Sequence, residues 1–172
     1  GVLQRIAIVY FVVSLLYLKT SLKTQIITGV VLLLGYWALM TLVPVPGIGE
    51  ANLEKGTNLA SWLDSILLKG HMYSGTVTWD PEGILSTIPS IVNGIIGLLI
   101  GQLLQQNLSK TKKVQNMAIA GVLLIIGGLL WNIIFPINKS LWTSSYVLYT
   151  TGLATTTLAV LYYIIDIADY KK

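Results

Sequence analysis

Cysteine is absent from the 172 residues, histidine occurs once, and only 10% of the side chains are charged against 54% that are apolar. Each shortage excludes something. Without cysteine there is no disulfide, thiolate metal site or cysteine nucleophile. The lone His71 lacks the local His or Cys spacing that marks zinc sites, and with Asp80 and Glu82 it makes a weak ligand set, so no metal is expected. The charged share falls far below the usual quarter, which sets aside a soluble globular class. The chain opens on Gly1 in a hydrophobic run, with no charged n-region and no small-residue cleavage site, so no signal peptide is visible. It reads as an interior piece of a longer polytopic protein, and a processed chain would look the same. A nucleic-acid signal, a Gly-rich phosphate loop and an internal repeat are also missing.

What remains is a set of long uncharged runs and a mean hydropathy of +0.75. Five runs of 17 to 25 residues, 2–18, 25–43, 84–104, 114–135 and 143–167, reach the ~20 residues that cross a hydrocarbon core. The fold class is an all-α integral membrane protein whose partner is the lipid bilayer. Five spans put the termini on opposite sides, and the basic residues choose the orientation. Lys19, Lys23, Lys110, Lys112, Lys113, Lys171 and Lys172 make seven on one side; Arg5, Lys55, Lys69 and Lys139 make four on the other. The seven-residue side is expected to be cytoplasmic, and the loop 44–83 then lies outside. Within that loop Asn58 is expected to cap a short helix whose apolar face is Leu59, Trp62, Leu63, Ile66 and Leu67, lying in the interface or lidding the outer mouth.

Charge beside a membrane marks candidate chemistry. Trp79-Asp80-Pro81-Glu82-Gly83 brings two carboxylates to the outer start of span three. Gln4 and Arg5 lie near the outer end of span one, where the guanidinium snorkels or pairs with a carboxylate. At ~1.5 Å rise per residue Arg5 and Glu82 are at similar levels, which predicts an Arg5–Glu82 ion pair and leaves Asp80 freer to face a reacting group. His71 reads as an ordinary loop histidine or as a catalytic base. Span three carries Ser86, Ser90, Asn93, Gly94, Gly97 and Gly101, nearly all on one stripe. This reads as close helix packing through the Gly97/Gly101 pair, or as the lining of a polar path. Lys110, Lys112 and Lys113 fit the positive-inside bias or a phosphate site. Asn138, Lys139, Trp142 and Tyr146 gather with several hydroxyls at the outer level, more than an aromatic belt requires. The threonines of span five are expected to bond back to their own helix.

Three stretches in order, Gly1-Val2-Leu3-Gln4-Arg5-Ile6, Asp80-Pro81-Glu82-Gly83-Ile84-Leu85-Ser86-Thr87-Ile88 and Pro136-Ile137-Asn138-Lys139-Ser140-Leu141-Trp142-Thr143-Ser144-Ser145-Tyr146-Val147, resemble the heparan-alpha-glucosaminide N-acetyltransferase family and its bacterial relatives. The Leu42-Val43-Pro44-Val45-Pro46-Gly47 turn is similar too. The resemblance spans nearly the whole chain and implies the middle part of a transmembrane acyltransferase domain over 1–172. It implies acetyl-CoA as cytoplasmic donor substrate and an amino sugar, such as a terminal glucosamine, as acceptor on the far side. The setting would be a bacterial inner membrane with loop 44–83 periplasmic, or lumenal in an organelle. The family's catalytic histidine lies in an outer loop near its first helices; no such motif occurs here and His71 does not match it, so it is expected upstream of Gly1 and the chain alone is expected to be inactive. The resemblance then casts Asp80 as the group that orients that histidine or holds the incoming ammonium, with Gln4, Arg5 and Glu82 fixing the mouth and Asn138, Lys139, Trp142 and Tyr146 holding the sugar. Self-association into a homo-oligomer is left open. The rival class is a transporter or a non-catalytic membrane subunit with the span-three stripe as its path; none of the five spans carries an ionisable residue near mid-membrane, which counts against ion-coupled transport.

Overall fold

A computed structural model of the chain describes residues 1–76, 78–168 and 170. Uncharged runs leave the backbone no partner in lipid except itself, so they become helices. In order these are α1 (Val2–Lys19), α2 (Leu22–Leu42), the short α3 (Leu59–Leu67), α4 (Ile84–Gln105), α5 (Lys110–Trp131) and α6 (Ser144–Tyr162), the last continued by a π-helical turn, Tyr163–Ile167. Five of them are long and apolar enough to cross a membrane. The expected all-α membrane class is what the chain adopts.

The boundaries follow local capping rather than hydropathy. Span four begins and ends about a turn earlier than expected, because Ser109 accepts the N–H of Lys112 as N-cap and Asn132–Phe135 leaves the helix. Two linker lysines hold helix-end carbonyls: Lys113 Nζ donates to Leu104 O at 2.7 Å and Lys110 Nζ to Asp166 O at 2.9 Å. Lys171 and Lys172, part of the seven-residue cytoplasmic count, lie outside the described residues.

α5 and α6 form a tight antiparallel hairpin. A Cβ at Gly128 would stand 2.6 Å from Tyr149 N, and one at Gly152 2.7 Å from Ile125 N, so backbone meets backbone there. The Gly97/Gly101 pair does not have that role. Nothing lies within 4 Å of a Cβ at either, and both face a cavity of about 300 Å³ between α4 and α6. The tight glycine of α4 is Gly94, whose Cβ would meet Val9 and Val13 of α1 at 2.8 Å. As expected, hydroxyls of α6 bond back to their own helix, Thr150 to Tyr146 O at 2.7 Å and Thr155 to Thr151 O at 2.8 Å.

At the end of the bundle that carries loop 44–83, α3 packs on the start of α4 through a partly polar face. Asn58 caps α3 by accepting Ser61 N at 2.9 Å. The buried side of this helix is Leu59, Ala60, Ser61 and Asp64, whereas Ile66 and Leu67 are exposed, which differs from the expected apolar face. Polar groups turn inward because Asp64 has a backbone donor to meet: its carboxylate accepts Ile84 N at 3.0 Å, capping α4 from 20 residues away. Beneath α3, Tyr36 donates to Leu141 O at 2.6 Å and Ser145 to Phe135 O at 2.6 Å, fixing the 132–143 loop against α2 and α6.

Candidate functional site

Two cavities meet at the end of the bundle that carries loop 44–83. One is a groove of about 1000 Å³ between α1 and α4, running from Leu18 and Tyr17 on α1 up to Arg5, Glu82, Lys139 and Trp142. At ~1.5 Å per residue, Arg5 to Leu18 covers about 20 Å of membrane depth. The second, about 560 Å³, lies above it between the start of α1, the end of α3 and the 80–84 turn; Gln4, His71 and Asp80 line it. Arg5 and Glu82 line both.

Arg5 is 6% exposed, the one buried side chain of α1 among the described residues. Its Nη2 donates to Ser86 Oγ and to Gly83 O, the latter at 3.4 Å, so it grips the first turn of α4. The guanidinium lies 4.9 Å from the centre of the Trp142 ring. Its Nε and Nη1 have no acceptor among the described residues. The expected Arg5–Glu82 pair is not formed: among the described residues no carboxylate oxygen comes within 4.0 Å of an arginine or lysine nitrogen. Ser86, Gly83 and Trp142 take the guanidinium instead and turn it toward α4.

Trp142 is placed by a strained backbone, with φ of 55°, a left-handed conformation unfavourable for a bulky residue. The turn that imposes it is built by Asn138, whose Oδ1 accepts Ser140 N at 2.9 Å, while Thr143 N donates to Asn138 O at 3.2 Å. Thus oriented, the indole N–H donates to Asn93 Oδ1 at 2.7 Å and the ring meets Tyr146 edge-on at 5.3 Å. Asn138 and Tyr146 therefore sit behind Trp142, while Lys139, exposed, reaches the groove itself.

The two carboxylates of the 80–84 turn differ in surroundings. Asp80 is 8% exposed, and its oxygens accept Glu82 N at 2.8 Å and Tyr73 N at 3.0 Å. Proline at 81 and the Gly83 N–H to Asp80 O bond at 3.0 Å complete the turn. Glu82 is half-buried, and its carboxylate makes no hydrogen bond among the described residues. His71 is exposed, with Nδ1 3.3 Å from Lys69 O.

Asn93, which the sequence offered on the span-three stripe as lining of a polar path, does line the groove, whereas Asp64 escaped sequence reasoning. Asp64 was hidden because helical periodicity put it on the solvent side of α3. Its carboxylate occupies the space a side chain at Gly83 would need, which ties the glycine to the acid. Burial pushes the Asp64 carboxyl above the ordinary aspartate range, opposed by the Ile84 N–H and the Arg5 charge and reinforced by Asp80.

No family model matches the chain. Heparan-alpha-glucosaminide N-acetyltransferase of Homo sapiens is 30% identical to it over 217 residues, covering 97% of this chain and 33% of that protein; the Mus musculus protein gives the same figures. The chain thus spans about a third of the length of these curated relatives. Over nearly all of its own length, then, this membrane-spanning helical chain is a relative of the heparan-alpha-glucosaminide N-acetyltransferases.

Proposed function

We propose that the chain forms the transfer region of a transmembrane acetyltransferase that passes an acetyl group from cytoplasmic acetyl-CoA to the amine of an amino sugar on the extracytoplasmic side. The observation that supports this most is the meeting of the membrane-depth groove with the outer cavity at Arg5 and Glu82. The groove is apolar along Val9, Val13 and Leu98, with Ser14, Ser90 and Asn93 spaced along it. That lining suits an extended arm carrying amide groups and ending in a thioester, brought up from the cytoplasmic side. The outer cavity, with Gln4, His71, Asp80 and Glu82, suits a small polyhydroxylated acceptor.

In the reaction the unprotonated amine attacks the thioester carbon, a C–N bond forms, and the C–S bond breaks to release the CoA thiolate. A general base takes the amine proton. The resemblance gives that task to a histidine in a motif this sequence does not contain. The residues present bind and orient: Trp142 offers a ring to a sugar face, Lys139 and Gln4 offer donors, and Asp80 holds the backbone that carries Glu82. Membranes containing the chain together with the histidine-bearing segment that the resemblance implies, given acetyl-CoA labelled in the acetyl group, should produce N-acetylglucosamine from glucosamine, whereas the chain alone should not. Trp142→Ala should lower kcat/KM by about tenfold or more, since one well-placed aromatic contact contributes on the order of 1.5 kcal/mol. Glucosamine that crosses the membrane without acquiring label would favour the transporter instead.

A further inference from the structure

On the far side of α4 from the α1 groove, a crevice of about 300 Å³ runs between α4 and α6, sharing Asn93 with that groove. It reaches from Asn93 to Leu104 on α4, about 17 Å at ~1.5 Å per residue. Ile96, Ile100 and Thr155 are buried at its floor, whereas Gly97, Ala154 and Leu158 are exposed along its rim, so it opens on the flank of the bundle. Its hydroxyls are already used: Thr155 donates to Thr151 O at 2.8 Å and Thr151 to Val147 O, which leaves an apolar lining. The volume spread over that length gives a cross-section of about 18 Å², the width of one hydrocarbon chain. A helix, about 10 Å across with its side chains, would need upwards of about 1000 Å³ for the same length.

The Leu104 end of this crevice is basic. Lys113 Nζ donates to Leu104 O at 2.7 Å, which puts its ammonium at the end of the α4 wall. Lys110 Nζ donates to Asp166 O at 2.9 Å, where the helix that forms the other wall ends. The first turn of α5 thus lays lysines against the ends of both helices, and Lys112 in the same turn is exposed. An ammonium has three donors, so one bond to a carbonyl leaves others for an anion. Gln102 Nε2 donates to Gln25 Oε1 at 2.9 Å, which holds the start of α2, with Lys19 and Lys23 nearby in sequence, at the same level. Among the described residues Asp166 is the acid at this end. We propose that the crevice holds one acyl chain of an anionic phospholipid whose phosphate lies against Lys110, Lys112 and Lys113. A soluble anion would engage the lysines and leave the crevice empty, and a neutral lipid would fill the crevice and leave the lysines without a counter-charge. A chain joined to a phosphate satisfies both. The site is independent of whether acetyl transfer takes place.

The chain, alone and joined to the histidine-bearing segment that the resemblance implies, is purified in detergent and titrated with phosphatidylglycerol and phosphatidylcholine of identical acyl chains, with bound lipid read by native mass spectrometry. Both forms should retain one phosphatidylglycerol about tenfold or more tightly than phosphatidylcholine, the scale of two lysines beside an anionic headgroup. Replacing the three lysines together, Lys110→Gln, Lys112→Gln and Lys113→Gln, should bring the two lipids level. Gly101→Leu fills the crevice without touching a charge, and because a Cβ there meets nothing within 4 Å the helix should keep its place. That variant should weaken both lipids about tenfold. Equal retention of the two lipids by the unaltered chain overturns the proposal without any variant, as does undiminished phosphatidylglycerol binding by folded Gly101→Leu. Retention by the chain alone but not by the joined form would give the crevice to a helix of that segment, and displacement of the lipid by coenzyme A would give the lysines to a soluble phosphate; either result overturns it.

Discussion

At the scale of single residues the outer turn is governed by where each carboxylate finds its donors. Asp64 accepts Ile84 N and is 1% exposed, so it is an acid held away from water with one strong partner. Because burial raises its folded-state value above the unfolded one, the native protein binds this proton more tightly. Its contribution to stability is fully present below about pH 4 and is lost as the pH rises through the raised native value. Asp64→Asn keeps a carbonyl oxygen for the Ile84 N–H and removes the titration. Thermal melts from neutral pH downward should show the unaltered chain gaining stability relative to Asp64→Asn as Asp64 takes up its proton. A constant difference between the two across that range would mean that Asp64 does not sense the pH.

Helices were the most legible level, and their faces the least. All five spans were readable from hydropathy because lipid leaves an apolar run of that length little alternative. Their ends were set by side chains that hydropathy ignores, as Ser109 and Asn132 show for α5. Glycine roles were not legible, since a sequence says where small residues recur but not which neighbour arrives. The α5–α6 contact and the cavity beside Gly97 make a direct comparison. Gly128→Ala, whose Cβ would enter backbone atoms of Tyr149 and Ser145, should cost about 1–3 kcal/mol in detergent-micelle unfolding. Gly97→Ala and Gly101→Ala, with open space at each Cβ, should stay within about 0.5 kcal/mol of the unaltered chain. The reverse order would mean that the two helix contacts have been exchanged. On α3 the periodicity located the helix and its Asn58 cap, yet missed that Ser61 and Asp64 turn inward, because the donor Asp64 serves lies on another element.

For the whole molecule, the residues quoted for the family resemblance, Gln4-Arg5, Asp80 to Glu82 and Asn138 to Tyr146, converge on one end of the bundle although they lie far apart in the chain. That convergence was legible in outline from levels in the membrane. The division of labour was not: Arg5 grips Ser86 rather than Glu82, and Asn138 shapes the turn that presents Trp142. On the proposed reading, with chemistry at the junction of the deep groove and the cavity above it, donor and acceptor arrive from opposite sides. Sealed vesicles of known orientation, prepared from membranes carrying the chain together with the histidine-bearing segment that the resemblance implies, test this most directly. With labelled acetyl-CoA trapped on the side of Lys110 to Lys113 and glucosamine supplied on the side of loop 44–83, labelled N-acetylglucosamine should accumulate with the acceptor. Placing both substrates on the loop side should give none. Equal product from both arrangements would contradict the account.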